Sequence, residues 1–524
     1  MGDPCTDNEN QESEHHFSAA FALRHGIIDE VLYNGLTTCL DKPNSGICKD
    51  ARAQYALAKE NLFDEYNVYG VNGFTGYDEI STFLCDTNVL KALHVNSSPN
   101  AAPICTWQFE TPLHYSKVNV GCADIPSPAG PGIINISDIY RELAGKLRIV
   151  LYNGDVDPAI DTIGSQRAAY AFGMPVKAGG EWRPWTHNES AAGESLLEWK
   201  MPSYGQSLSY NGNGEQLGGY VVDFEGDFTY LTFHGSGHMV PEYKPQAALA
   251  FFKKFIHDDA YAPPFEYPDD LDKALDDINK RKDDRSQIRS NIDEYYERTS
   301  NMSYEMALQK HYERISADMD DDFIDALPNV APLRSRQYSG FLGLHGTNEG
   351  SAIHYWHVEA ENVDPDDAPL VIWLTGGPGG SSLGAALTEH GPLILNRTGY
   401  NLIHNPYGWS GPANMLFLES PPGVGFSYCS EQLGDSSVIC KASDDSAAEA
   451  NLDALRAFLI RFPQYLGRDL LITGESYAGE DSYIFTYTYT YIYSFILLHN
   501  FAPPRFFPVL TLNTLMLSFR TPAL

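Results

Sequence analysis

Positive charge is scarce in this chain. Its 524 residues include 35 Lys and Arg against 69 Asp and Glu, a formal net charge of −34 at pH 7. Phosphate backbones are held by basic surfaces, so the balance argues against nucleic acid as a partner. No apolar run reads as a transmembrane helix, and no membrane span is expected. The opening Met1-Gly2-Asp3-Pro4-Cys5-Thr6 lacks the apolar core of a signal peptide. It fits the loose myristoylation pattern, but Asp3 and Pro4 are poor neighbours for it and no basic patch follows. No metal-ligand cluster appears either, so neither a metal nor a cofactor is expected.

What is present is core-forming material. Hydrophobic residues make up 43% of the chain. That serves one large enzyme domain with insertions, or several smaller domains. Eight cysteines (Cys5, Cys39, Cys48, Cys85, Cys105, Cys122, Cys429 and Cys440) lie mostly in polar, loop-like surroundings. Sequons occur at Asn96, Asn135, Asn188, Asn301 and Asn396. Together with the even cysteine count they point to an oxidising, secretory setting and a disulfide-bonded glycoprotein. Cys429 and Cys440 are near enough to close a local loop; the other pairings stay open. A strongly acidic surface sheds charge at low pH, which is compatible with an acidic compartment.

Four regions follow one another. Residues 1–262 are globular in character, with strand-like runs at 147–152 and 230–233 and an apolar-faced helix at 247–256. Residues 263–326 are rich in Asp, Lys and Arg and read as a charged linker. Residues 327–481 are globular again, with buried strands at 369–374, 414–418 and 469–473 and helical spacing over about 444–461. Strands alternating with helices imply an α/β fold with a mostly parallel sheet. Residues 482–524 look foreign. Tyr487-Thr488-Tyr489-Thr490-Tyr491-Ile492-Tyr493 is a near-dipeptide repeat, suited to an edge strand or to translated simple-repeat DNA.

The sharpest chemical signal is Thr473-Gly474-Glu475-Ser476-Tyr477-Ala478-Gly479. A buried strand runs into a serine flanked by small residues, as a tight strand-to-helix elbow requires. Such a serine needs a base, and the base an orienting acid. The strand at 147–152 ends in Asn153-Gly154-Asp155-Val156-Asp157, and the strand at 230–233 ends in His234-Gly235-Ser236-Gly237-His238-Met239-Val240-Pro241. Spacing alone does not choose between Asp155 and Asp157, or between His234 and His238.

These three motifs resemble the catalytic motifs of the serine carboxypeptidase family. Trp373-Leu374-Thr375-Gly376-Gly377-Pro378-Gly379 resembles its glycine-rich turn. Asn405-Pro406-Tyr407-Gly408-Trp409 and Glu419-Ser420-Pro421-Pro422-Gly423-Val424-Gly425-Phe426-Ser427-Tyr428 resemble two further family segments. The resemblance covers the first and third regions. It implies an α/β-hydrolase fold with a cap insertion and a serine-type carboxypeptidase acting on peptides or proteins with a free C-terminus. By the same resemblance Ser476 is the nucleophile, His238 the base and Asp157 its orienter. Gly377 and Tyr477 supply the oxyanion hole, and Thr375, Gly376, Glu389 and Glu475 hold the substrate carboxylate. A glutamate binds a carboxylate only when one of the two is protonated, so activity at acidic pH is implied. Glu389 reads equally well as a solvated surface carboxylate. The family's compartments are secretory, lysosomal, vacuolar or extracellular.

Three departures stand out. Thr375 occupies a position where many relatives carry Asn, and similar turns occur in acyltransferases of the fold. Gly380 occupies a common cysteine position, so one long-range disulfide is expected to be absent. Third, α/β-hydrolases order their triad Ser, Asp, His, whereas here the order is Asp157, His238, Ser476. The chain reads as the C-terminal half of such an enzyme (1–262) joined to an N-terminal half (327–481), with residues 2–9 resembling the loop after a strand that is missing. Circular permutation explains this, because compact domains tolerate it. So does a reading frame fused across two truncated tandem copies, which the missing helix after the elbow, the repeat-like tail and the missing signal core favour. In the second case the chain is a misassembled, non-catalytic protein.

Overall fold

A computed structural model describes residues 19–42, 44–60, 66–68, 77–101, 105–116, 136–189, 214–265, 322–330, 332–345, 348–396 and 401–478. Nearly all of the charged linker, the whole repeat-like tail, residues 2–9, Cys5 and Cys122 therefore lie outside the described residues. So does the chain after Ala478, where a helix following the elbow would run.

The first region opens with helices α1 (Ala19–Arg24), α2 (Glu30–Asp41), α3 (Gly46–Glu60), α4 (Tyr77–Leu84) and α5 (Thr87–Ala92). Strand β1 (His114–Ser116) and helix α6 (Ile136–Leu143) follow, then β2 (Ile149–Gly154), α7 (Thr162–Ala171), β3 (Arg183–Glu189), β4 (Gly214–Phe224) and β5 (Phe228–Phe233). It closes with the single turn α8 (Val240–Tyr243) and α9 (Pro245–His257). The third region holds β6 (Gln337–Gly343), β7 (Ala352–Val358), β8 (Leu370–Leu374), α10 (Ser382–Thr388), β9 (Leu393–Asn396) and β10 (Asn401–His404). After these come β11 (Asn414–Leu418), β12 (Lys441–Ser443), α11 (Asp444–Arg461) and β13 (Leu470–Gly474).

Local chemistry explains the main elements. Strands β8 and β11 are apolar on both faces and wholly buried, the pattern of central strands covered by helices. Helix α11 starts at Ser443, whose hydroxyl accepts the Ser446 N–H while Ser446 returns a bond to the Ser443 N–H. Asp444 and Asp445 in its first turn and Arg461 in its last complement the helix dipole.

The described strands form a five-stranded sheet, order β13-β8-β11-β7-β6, and a four-stranded sheet, order β2-β5-β4-β3. Pairing is parallel where β13, β8 and β11 meet and where β2 meets β5. It is antiparallel outward, at β11–β7, β7–β6, β5–β4 and β4–β3. The expected mostly parallel sheet is thus confined to the strands that carry the motifs. Short hairpins such as β4–β5 can join only antiparallel neighbours. Among the described residues no strand bridges β13 and β2, so the two larger sheets are separate there, beside the two-stranded pairs β1–β12 and β9–β10.

The two globular regions nevertheless share one core. The Phe252 and Trp409 rings stack at 4.2 Å, and β1 pairs in parallel with β12. Asn100 donates to the carbonyls of Gly425 and Ser427 at 3.0 and 2.8 Å. Trp107 Nε1 donates to the fully buried Glu419 at 2.8 Å. Glu419 also accepts from His354 Nδ1, the Phe426 N–H and the Ser381 hydroxyl. Replacing Glu419 by Ala orphans these buried donors, and a loss of about 3–5 kcal/mol is expected. The urea unfolding midpoint measures it.

Disulfides join Cys39 to Cys48, Cys85 to Cys105 and Cys429 to Cys440. The last is the local loop read from spacing. Gly380 pairs across a β-bridge with Glu110 in place of a half-cystine.

Candidate active site

The acid and the histidine arise from loops at the ends of adjacent parallel strands, β2 and β5. Those loops pack tightly. A side chain at Gly154 would meet the Gly237 and Ser236 carbonyl oxygens at 2.2 and 2.3 Å, so only glycine fits. The Val156 N–H donates to the Ser236 carbonyl at 3.0 Å and ties the loops together.

This packing separates the candidates into two pairs. His238 Nδ1 donates to Asp157 Oδ2 at 2.7 Å, with side-chain exposures of 5% and 0%. The other Asp157 oxygen accepts the Ala159 N–H at 2.7 Å, so the carboxylate is held at both ends. His234 Nδ1 meets Asp155 Oδ2 at 2.8 Å, but these side chains are 61% and 27% exposed. One pair is buried and fixed; the other is a surface ion pair of small value. Burial disfavours the His238 imidazolium, but the charge and hydrogen bond of Asp157 outweigh it, and the pKa lies above the ordinary value.

Ser476 follows β13 with φ +56°. A non-glycine residue held in that region carries about 1–3 kcal/mol of strain, which the elbow's surroundings must maintain. The glycine-rich turn lies directly against it. A Cβ at Gly376 would stand 2.5 Å from the Tyr477 nitrogen and 2.8 Å from the Ser476 Cβ. Gly377 adopts φ +121°, open to glycine. Tyr477 is anchored through its hydroxyl, which donates to the buried Asp444 at 2.7 Å. Next to Ser476, the buried Glu475 feels the charges of both His238 and Asp157, which puts the elbow and the Asp–His pair in one electrostatic neighbourhood.

Glu389, at the end of α10, is 3% exposed and Glu475 4%. Glu389 is therefore not a solvated surface residue. The two carboxyl groups share a hydrogen bond. Burial, reinforced by the charges of Glu475 and Glu242, raises the Glu389 pKa well above the usual range. Burial also raises Glu475, to about 7, against the opposing effect of His238. Asn405 donates to the Glu389 carbonyl at 3.1 Å, which gives the Asn-Pro-Tyr segment a positioning task. The Thr375 hydroxyl accepts the Trp373 indole N–H at 2.9 Å and keeps its own proton for donation.

Motif reading overlooked two neighbours. Tyr66 accepts the His238 N–H at 2.9 Å and sets its ring 5.3 Å from the imidazole. Nothing in its local sequence signals that contact. Glu242, four residues after His238, acts on both Glu389 and Glu475; its proximity to the motif was the available clue. A second Ser–His–acid chain, Ser339–His354–Glu419, lacks a reactive hydroxyl, because Ser339 donates to the Leu93 carbonyl at 2.8 Å and all three are fully buried.

A family model described as serine carboxypeptidase matches residues 1–258 and 328–489, more than half of the chain. The lysosomal protective protein of Mus musculus is 46% identical over 167 residues, 32% of this chain and 33% of that protein. Serine carboxypeptidase 24 of Arabidopsis thaliana is 43% identical over 165 residues, 31% of this chain and 34% of that protein. Each alignment thus spans about a third of the relative's length. A crystal structure of a prohormone-processing carboxypeptidase from Saccharomyces cerevisiae covers 32% of this chain and 36% of its own, at 28% identity and a TM-score of 0.28, too slight a likeness to bear on the fold.

Proposed function

This chain belongs to the serine carboxypeptidase family, and from that premise we propose that it removes the C-terminal residue of peptides through an acyl-enzyme on Ser476. The buried Asp157–His238 pair, together with the strained serine elbow, is the observation that supports the reading. Ser476 Oγ attacks the carbonyl carbon of the last peptide bond as His238 Nε2 takes its proton. The N–H groups of Gly377 and Tyr477 meet the developing oxyanion. The C–N bond then breaks, His238 protonates the leaving amine, and the C-terminal amino acid departs. Water attacks the ester, giving its proton to His238, and Ser476 regains a proton as the ester bond breaks.

Exopeptidase selectivity comes from the carboxyl groups of Glu389 and Glu475. Their raised pKa values keep protons available to the substrate carboxylate, with Thr375 and Gly376 lining the same turn. Asp157 fixes the imidazole through Nδ1, which leaves Nε2 to take the serine proton. Three disulfides among the described residues suit an oxidising compartment, and the murine relative is named lysosomal.

Release of the last residue from a blocked dipeptide acid, compared with its C-terminal amide, tests the reading. Preference for the acid is expected, and equal turnover of both contradicts it. Thr375 keeps a second reading open, acyl transfer to an alcohol. Adding an alcohol acceptor separates the two, since a transferase yields ester in preference to free acid.

A further inference from the structure

Asp444 belongs to none of the three catalytic motifs, yet it is fully buried. It is the first residue of α11, directly after the capping residue Ser443. Its Oδ1 accepts the Tyr477 phenol at 2.7 Å, and Tyr477 is itself buried. A buried hydroxyl is costly to leave without its acceptor, so this bond holds the side chain in place. The Tyr115 ring meets the Tyr477 ring edge-on, at 5.7 Å and 86°. Strand β1 brings Tyr115 there by pairing with β12 just ahead of α11, with Tyr115 opposite Ala442. The Tyr477 side chain is thus gripped by the start of a helix in its own region and by a strand of the other.

That grip bears on the backbone of the elbow. Ser476 has φ +56°, a conformation that persists only where its surroundings over-determine it. The strand before it supplies one constraint, since the Glu475 N–H donates to the Leu374 carbonyl at 3.3 Å. The Tyr477 side chain supplies another from the residue after it. It anchors the far end of the peptide unit between Ser476 and Tyr477, whose N–H is the oxyanion donor of the carboxypeptidase reading. Such a donor stabilises a developing charge only when it is aimed beforehand. We propose that Asp444 is a positioning residue for the oxyanion hole: by holding the Tyr477 phenol, it aims the Tyr477 N–H. This rests on the carboxypeptidase reading, in which that N–H meets the substrate.

Steady-state kinetics of the full chain on one blocked dipeptide acid test this. Asp444→Ala is expected to lower kcat about ten- to a hundredfold while KM stays within about twofold, because the hole acts in the transition state and not in the ground state. Tyr477→Phe removes only the phenol oxygen and should lose as much, which keeps the test open if the alanine variant folds poorly. Combining the two should cost no more than either alone. Asp444→Asn keeps a carbonyl oxygen for the phenol and should restore most of kcat. Asp445→Ala removes an exposed acid from the same first turn of α11 and should leave kcat unchanged. A merely structural Asp444 would lower the urea midpoint and leave kcat of the folded protein intact. An unchanged kcat in Asp444→Ala and Tyr477→Phe, losses that multiply in the double variant, no recovery in Asp444→Asn, or an equal loss in Asp445→Ala overturns the proposal. Hydrolysis by the wild type then keeps the underlying reading. A wild-type chain that releases no residue from the peptide acid removes both.

Discussion

Asp157→Asn is expected to lower kcat for peptide hydrolysis by about 10⁴-fold, because an amide at that position no longer holds the imidazole tautomer. The geometry explains why the loss should be so large. Asp157 is fully buried and accepts His238 Nδ1–H at 2.7 Å, which leaves Nε2 to take the serine proton. Asn presents the same shape, yet its NH₂ group in place of Oδ2 would face an Nδ1–H, and the ring would give up that proton. Nε2 would then carry the hydrogen and could not act as a base. Asp155→Asn is the control. Asp155 pairs with the exposed His234, and an exposed pair contributes about 0–1 kcal/mol. Steady-state kinetics on one peptide acid, with circular dichroism to confirm folding, compares the two. Equal losses in both variants would mean that spatial pairing does not identify the catalytic acid.

The second large effect concerns the glutamate pair. Alanine at both Glu389 and Glu475 is expected to lower kcat/KM for free-acid peptides by about 10²–10⁴, the value of two hydrogen bonds to a charged group. The same pair sets the alkaline limit. Two hydrogen bonds along a row of three carboxyl groups, two from the protein and one from the substrate, require two protons. The pair begins to lose protons as pH rises through about 7, where burial has placed Glu475. Above that pH, kcat/KM for peptide acids should fall about tenfold per unit, while hydrolysis of the matching amides should show no such fall. Below the raised pKa of His238, protonation of the base limits both substrates alike. The sign for stability is the same as for binding. The folded chain keeps protons that the unfolded chain releases above its ordinary glutamate pKa, so this site's contribution declines as pH rises from about 4.3 toward 7. Gln at both positions donates N–H at every pH, and should flatten the alkaline fall and the stability decline together. A fall that persists in the Gln variant places the limiting group elsewhere.

Residues 370–374 and 414–418 could be read as strands because they are apolar on both faces, a consequence of burial on both sides of a sheet; 470–474 carry a similar apolar run, although Leu470, Leu471 and Ile472 are only half-buried among the described residues. Helices α9 and α11 declared themselves through apolar spacing. The antiparallel hairpins β3–β4 and β6–β7 did not. Gly214–Phe224 mixes exposed and buried positions around Gly218 and Gly219, and Ala352–Val358 contains two buried histidines that interrupt an apolar pattern. The motifs located the elbow, the acid loop and the histidine loop. Choosing Asp157 over Asp155 needed either resemblance or coordinates, since two aspartates two residues apart differ only in which one the loop packing buries. Glu389 was ambiguous for a related reason: its burial is a tertiary property, and its backbone carbonyl is held by Asn405 from later in the chain. Tyr66 was silent, because it is defined by a contact between elements rather than by a local pattern, and Glu242 offered only its place four residues after His238.

The central claim is that two regions in rotated order assemble one α/β-hydrolase site. Labelling the purified full chain with a fluorophosphonate, and mapping the adduct, tests it most directly. The account predicts an adduct on Ser476 that disappears in His238→Ala, since labelling requires the serine of one region to be activated by the base of the other. No adduct on soluble, folded protein at either acidic or neutral pH would contradict it and leave the motifs as inherited sequence without a working site.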